Sequence, residues 1–373
     1  LFFIPYYTYS LYYNLRGKMT QSVLITSEQA YIFALSILQN YGVPLDRAAM
    51  VAESLVLADL RGVDTHGINR LSGYIDRIKC GVLDPNPELE FDMKSPVMAH
   101  LNARNTFGFV AGCMAIDKGI EIASIYGLAV VAVKNSNHYG MGAGYVLRAI
   151  QQGYAAIAFT NASRAMPPWG GKEALLGTSP LAVGVPGGKA GDFVLDMSPT
   201  VAARGKIRKA ARRGESIPEG YALDEEGKPT TDPEAALKGV MLPIGGPKGS
   251  GIAMMMDIFG GLLTASSFAG GVNDQYKNTT EPQGVGHWFM VFKPEMFLDS
   301  KESLGDRMDT LLGKVRSCEK AAGVERIRTP GENASDMERC RRIEGIPFTT
   351  EEVENLNQLA KNSGSDALLV NSS

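Results

Sequence analysis

The sequence predicts an α/β fold preceded by a helical region, and three observations carry that expectation. Apolar residues recur at helical spacing up to about residue 80, helices alternate with short β-rich runs from residue 97, and 373 residues suffice for two or three structural units. With 45% hydrophobic and 21% charged residues, the composition excludes a disordered chain, a collagen or a coiled-coil rod.

Residues 1–25 read as a flexible extension. The first 18, LFFIPYYTYSLYYNLRGK, are aromatic but broken by Pro5 and by polar residues, and their basic residues follow the apolar part, so neither a secretory signal nor a membrane anchor fits. Met19 opens what reads like an ordinary cytosolic start. From Thr26 a Thr-x-x-Gln capping box leads into a helix that stops at Gly42, and a second helix after Pro44 covers about Asp46 to Leu60. Asp64 or Thr65 is the expected N-cap of a third, from His66 to about Lys79, before a turn at Asp84 to Pro87. These helices define a helical domain over 26–96, joined by amphipathic helices within 301–362. An α/β domain over 97–300 holds expected strands at 127–133, 155–160, 181–186, 193–197 and 287–292, a charged stretch at 204–234 and an apolar helix around Ile252 to Leu263. Residues 363–373 read as a loose tail.

A net charge of −3 argues against a general binder of nucleic acid, which needs a cationic excess to displace counterions. The four cysteines, Cys80, Cys113, Cys318 and Cys340, form no C-x-x-C pair, so a reducing cytoplasm fits better than a disulfide scaffold. The four histidines, His66, His100, His138 and His287, lack metal-ligand spacing, and no metal site is expected.

The segment DTHGINRLSGYIDRI carries the sharpest chemical signal. On a helix at roughly 100° per residue, Arg70, Tyr74 and Arg77 fall within about 80° of His66, while Ile68, Leu71 and Ile75 form a separate apolar face. Such a polar face is ordinarily a solvated one. An imidazole, a guanidinium and a phenol at i, i+4 and i+8 nevertheless match a 2-oxo acid, whose carboxylate suits Arg and whose carbonyl oxygen needs a proton donor. In VKNSNHYGMGAG, His138 lies in a polar turn after a strand, where a group can be structural or catalytic. The glycines at 140, 142 and 144 miss the G-x-G-x-x-G spacing, and the next strand ends without a carboxylate, so a conventional Rossmann dehydrogenase becomes an alternative reading. In GGPKGSG, Lys248 stands among glycines at the start of a helix, a place that favours phosphate, although the Walker order is absent. The run ARGKIRKAARRGE reads most simply as a solvated basic helix, one of whose side chains could reach a cofactor phosphate.

Together, ADLRGVDTHGINRL, VKNSNHYG, LLGTSPLAVGVP, VLDMSPTVAARGKI, IPEGYALDEEG, PKGSGIAMMMDI and the PGE at 330–332 resemble the malate/L-lactate dehydrogenase type 2 family, which also includes ureidoglycolate, sulfolactate and diketogulonate oxidoreductases. The resemblance runs from about Thr26 to Leu359. It implies an NAD- or NADP-dependent oxidoreductase of small 2-hydroxy acids, malate- or lactate-like, on a non-Rossmann fold with a mixed, largely antiparallel sheet. It places the cofactor in the 97–300 domain, against Asp196, Met197 and Ser198, against Lys248 and Gly249, and at the Pro330, Gly331, Glu332 turn. His66 and Arg70 then line the substrate pocket, with Arg70 as carboxylate clamp and Tyr74 bonding the same substrate. Either His66 or His138 acts as acid/base, and the shared helical face favours His66. The resemblance further implies a homodimer with active sites at the interface, without nucleic acid or membrane as partner. A non-catalytic ligand-binding protein of the same fold is the other alternative.

Overall fold

The structure, a computed structural model, describes residues 22–299 and 301–370, so the aromatic stretch of residues 1–18 lies outside it. Strand β1 (Ser22–Ile25) leads into helix α1 (Ser27–Asn40) through the expected reciprocal cap: the Gln29 N–H donates to Thr26 Oγ1, and the Thr26 N–H donates to Gln29 Oε1. Helix α2 (Leu45–Leu60) follows Pro44. The single helix expected from His66 is corrected: two short 3-10 turns, Asp64–His66 and Ile68–Arg70, precede helix α3 (Leu71–Lys79). Gly67, extended at φ −87° and ψ −161°, interrupts the helical path, and no side chain caps α3, so neither Asp64 nor Thr65 has that role.

Strands β2 (Phe91–Ser95) and β3 (Met98–Asn102) come next, then helix α4 (Gly108–Tyr126), strand β4 (Leu128–Ser136), helix α5 (Ala143–Gln151) and strand β5 (Ala155–Thr160). A short pair, β6 (Arg164–Met166) and β7 (Leu176–Gly177), precedes the hairpin of β8 (Leu181–Gly188) and β9 (Gly191–Met197). The charged stretch holds helix α6 (Arg204–Arg213), strands β10 (Ala222–Leu223) and β11 (Pro229–Thr230), helix α7 (Pro233–Lys238) and strand β12 (Val240–Met241). Helix α8 (Pro247–Asp257) passes into a π-helical turn, Ile258–Leu262, before strand β13 (Val285–Phe292).

The main sheet has the order β2-β3-β4-β13-β5-β8-β9, and only its β3–β4 pair is parallel. A doubly wound Rossmann sheet is mostly parallel, so this topology excludes the conventional Rossmann alternative. Helix α4 is the crossover between the parallel strands, as a parallel pair requires. It packs with α5 on the face lined by Ala129, Val131, Val133, Phe289 and Val291. Phe259 of the π turn meets Phe159 and Trp288 edge-on.

Helix α9 (Lys301–Ser317) lies on this sheet instead of joining the N-terminal helices as expected. The Asp309 carboxylate accepts the N–H groups of Lys189 and Ala190 in the β8–β9 turn (2.9 and 2.7 Å), and Arg316 donates to Ala190 O. Three other C-terminal elements do join them: helix α10 (Glu332–Glu344) packs on α2, strand β14 (Ile346–Thr349) pairs antiparallel with β1, and helix α11 (Thr350–Ser363) packs on α1. Residues 22–25 are therefore part of the fold, not of the extension. The expected loose tail is likewise docked as far as Leu369. Leu369 is buried in the helical core, its N–H and carbonyl both bond the Asn357 side chain, and Ser365 Oγ meets Ser36 Oγ at 2.8 Å. Among the described residues, no helix is long and apolar enough to cross a membrane.

Candidate active site

The DTHG turn is built from below by a carboxyl group. Asp59, in the last turn of α2, is buried, and its Oδ2 accepts the Ile68 N–H at 2.8 Å. A methyl on Gly67 would lie 1.6 Å from Asp59 Oδ1, so only glycine lets the turn close over that carboxyl. Burial pushes the Asp59 carboxyl up to about 8. From α10, Arg341 donates to Asp59 O and to the Asp64 carboxylate, which ties the turn to a segment 277 residues away.

On this frame four of the expected side chains converge. Tyr74, from α3, is buried, and its hydroxyl lies 2.8 Å from His138 Nδ1. The His138 and His66 rings stack with centroids 5.4 Å apart, and His66 Nδ1 lies 2.9 Å from Thr65 Oγ1. The His138 N–H donates to Gln283 Oε1 at 2.8 Å. Arg70 donates through Nε to Thr65 O at 2.5 Å, and its guanidinium lies 5.2 Å from the Tyr276 ring centroid. The constellation is real, but its basis is not one helical face. His66 and Arg70 sit on successive 3-10 turns, Tyr74 on α3 and His138 beyond β4.

Electrostatics keep both imidazoles neutral near pH 7. Burial lowers His66 to about 4, with help from the Arg70 charge; burial lowers His138 well below the usual range, with further contributions from His66, Arg70 and His287. Burial raises the Tyr74 phenol, which stays protonated. His287 is itself buried between Thr160 Oγ1 (2.7 Å) and Ser136 Oγ (2.8 Å) and stacks on Tyr139, a structural role inside the sheet.

Arg77, expected on the polar helix face, is a buried strut. It donates to the carbonyls of Asn278 and Gln275 and to Asn137 Oδ1, holding the 273–283 loop beside the site. That loop supplies Tyr276 and Gln283, which no motif signalled. Asp59 did leave a trace, as a carboxylate four residues after Leu55 on the buried stripe of α2.

The positions matched to cofactor contacts gather along the end of β9. Gly331, at φ +89°, presses on Val194: a methyl there would lie 2.9 Å from Val194 Cβ. The Glu332 carboxylate accepts from Thr329 N–H and Oγ1 and pairs with Arg316 and Arg326, so it braces the turn. Ser198 Oγ meets Thr200 Oγ1 at 2.8 Å. The Ile244 N–H donates to Pro199 O, and a methyl on Gly249 would lie 2.9 Å from that same oxygen, which brings the Lys248 turn alongside Met197 and Ser198. Asp196 Oδ2 accepts the Ala143 N–H at 2.8 Å, linking β9 to the loop that carries His138.

Two expectations change here. The N–H groups of Lys248, Gly249 and Ser250 donate to Gly245, Ile244 and Gly246 carbonyls, so the start of α8 does not present free donors. A methyl on Gly142 would lie 3.4 Å from Asp196 Oδ1, so the glycines beside His138 adjoin the cofactor positions.

The set fits a dinucleotide in charge and placement. Lys248 is exposed with no ion pair, and Asp196 Oδ1 has no hydrogen-bond partner among the described residues, which leaves one free cation and one free acceptor beside a glycine turn. No group of metal-ligating side chains occurs among the described residues. A cavity of about 450 Å³ lined by Tyr31, Glu53, Leu57, Cys113 and Arg148 contains none of the four converging side chains.

A family model described as malate/L-lactate dehydrogenase matches residues 25–357. The L-sulfolactate dehydrogenase of Methanocaldococcus jannaschii is 36% identical over 345 residues, which cover 92% of this chain and 98% of that protein. Its solved structure matches with a TM-score of 0.87 at 34% identity, over 92% of this chain and 98% of that one. The (2R)-3-sulfolactate dehydrogenase (NADP(+)) of Chromohalobacter salexigens is 36% identical over 74% of this chain and 83% of its own length. The ureidoglycolate dehydrogenase (NAD(+)) of Escherichia coli strain K12 is 34% identical over 82% of this chain and 86% of its own length.

Proposed function

Because the chain belongs to the malate/L-lactate dehydrogenase family, we propose that it interconverts a small 2-hydroxy acid and its 2-oxo acid with NAD or NADP. The observation that carries this reading is the meeting of His66, His138 and Tyr74 with Arg70, whose Nη fork has no carboxylate partner among the described residues.

Arg70 clamps the substrate carboxylate through that fork. Its Nε bond to Thr65 O and the Tyr276 ring set the plane of the guanidinium, which orients the substrate's C2. The bound nicotinamide supplies hydride acceptance in one direction and donation in the other. Lys248, Asp196 and Ser198, with the Pro330, Gly331, Glu332 turn, Gly249 and Met197 as its walls, would hold that cofactor.

Proton transfer belongs to the His66–His138 pair. A neutral imidazole is ready to take the hydroxyl proton of a 2-hydroxy acid; for His138 Nε2 to accept it, Nδ1 must carry hydrogen and donate it to Tyr74 Oη. We assign the main role to His138, whose ring and backbone are both anchored, and a supporting one to His66.

A second copy of the chain fits the exposed apolar row of Met254, Ile258 and Leu262 on α8 and the π turn, which supports a homodimer. The four free cysteines suit a reducing cytoplasm.

The test is a panel of 2-oxo acids, including oxaloacetate, pyruvate and sulfopyruvate, each with NADH and NADPH, followed by the consumption of reduced nicotinamide. Turnover of at least one pair is expected. Silence across the panel, with the cofactor still bound, would favour the non-catalytic ligand-binding alternative.

A further inference from the structure

The basic run, which reads from sequence as a solvated helix, stands beside the substrate clamp. Helix α6 packs its Ile207 into a small core with Ile217, Ala222 and Met241, and Arg204 donates to Leu237 O. With those contacts fixed, Gly205 faces the DTH turn: a methyl there would lie 3.8 Å from Thr65 Cγ2. Arg208 is one turn further along that face.

Arg208 is exposed and makes no hydrogen bond or ion pair among the described residues. Its charge is felt at the clamp: burial lowers the Arg70 pKa, Tyr74 opposes this, and the Arg208 charge lowers it further. Among the described residues neither guanidinium forms an ion pair with a carboxylate, although Arg213, at the far end of the same helix, has Glu215. Two unneutralised guanidinium groups on one side of a site repel each other unless an anion lies between them.

We propose that Arg208 is a specificity-determining residue that receives a second acidic group of the substrate, a carboxylate or sulfonate on the carbon chain beyond C2. This rests on the reading of Arg70 as the clamp for the first carboxylate. A dianionic 2-hydroxy acid places one negative group on each guanidinium and removes their repulsion. A monoanionic substrate of the lactate type satisfies Arg70 alone.

The experiment compares the wild type, Arg208→Gln, Arg208→Lys and Arg213→Gln. Steady-state kcat/KM is measured with oxaloacetate and with pyruvate, using NADH and NADPH. The wild type is expected to prefer oxaloacetate, and Arg208→Gln to lose about tenfold or more on oxaloacetate, mainly through KM, with pyruvate changed less than about twofold. Arg208→Lys should recover part of the loss, and Arg213→Gln, which removes the same charge from the helix, should keep the preference. An unchanged oxaloacetate-to-pyruvate ratio in Arg208→Gln, or equal loss on both, overturns the proposal.

Binding supplies a readout independent of turnover, by thermal shift with non-reacting succinate against butyrate. If no oxo acid turns over, but succinate stabilises the wild type and not Arg208→Gln, the dehydrogenase reading fails and the dianion site stands. If succinate stabilises both proteins equally, the dianion site fails.

Discussion

His66 and His138 illustrate how burial decides what a side chain does. With pKa values pushed below the ordinary histidine range, chiefly by burial, both are neutral bases in the free protein near pH 7. The acid limb of kcat/KM for 2-hydroxy acid oxidation is therefore expected well below pH 6.5, the ordinary histidine value, because protonation of the pair abolishes the base. His138→Asn should lower kcat by roughly 10²- to 10⁴-fold, and His66→Asn by less. The reverse order would move the main role to His66. Asp59 yields a stability prediction with the opposite pH sense. Its folded pKa of about 8 exceeds the ordinary value of 3.8, so the folded state binds the proton more tightly. The associated stability is fully present below about pH 4 and is lost as pH rises toward 8, by up to about 6 kcal/mol if the whole shift is expressed. Asp59→Asn removes this loss, so its melting temperature relative to the wild type should climb between pH 5 and 8; a difference independent of pH would contradict the assignment.

At the scale of elements, the turn into α8 contributes a charge more than a set of free donors, since its first N–H groups are already used. Lys248→Met should accordingly raise the cofactor Kd about tenfold or more, at least about 1.4 kcal/mol, by titration of reduced-cofactor fluorescence. Gly144→Ala is the suitable comparison in the glycine turn after His138. The added methyl makes only an ordinary 3.9 Å contact with Leu57 Cδ2, whereas one at Gly142 would crowd Ala182, Tyr139 and Asp196. A comparable loss in Gly144→Ala would show that the turn, and not the Lys248 charge, governs cofactor binding.

For the whole molecule, the exposed apolar row on α8 and the π turn carries the association prediction. Ile258 is 43% exposed, between Met254 at 50% and Leu262 at 49%, which is costly for an isolated surface and ordinary for an interface. Light scattering on the eluting protein should give a dimer for the wild type and a monomer for Ile258→Glu, with secondary structure retained. A monomeric wild type would remove this surface from consideration.

The amino-acid sequence by itself determined whatever depends on neighbours along the chain. The Thr26 cap, the stop after α1, strand β5 at 155–160 and an apolar helix around 252–257 follow from local hydrogen bonding and apolar periodicity, whereas the π-helical turn Ile258–Leu262 that continues it does not. Its motifs also marked His66, Arg70, Tyr74 and His138, because chemistry-bearing residues cluster in the DTHG and NSNH segments. Tertiary structure decided the rest. The helix expected from His66 broke because Asp59 reaches under Gly67, a contact nine residues apart from Asp59 to the Ile68 N–H that no helical wheel contains. Tail residues 365–369 and strand β1 gained order from partners more than 300 residues away for Ser36 with Ser365 and for β1 with β14. Arg77 became a strut and Arg208 a neighbour of the clamp for the same reason: a charged side chain's role depends on which distant backbone or charge it meets. Local pattern specifies propensity, whereas the pairing of distant segments sets burial, and burial set the protonation of this site.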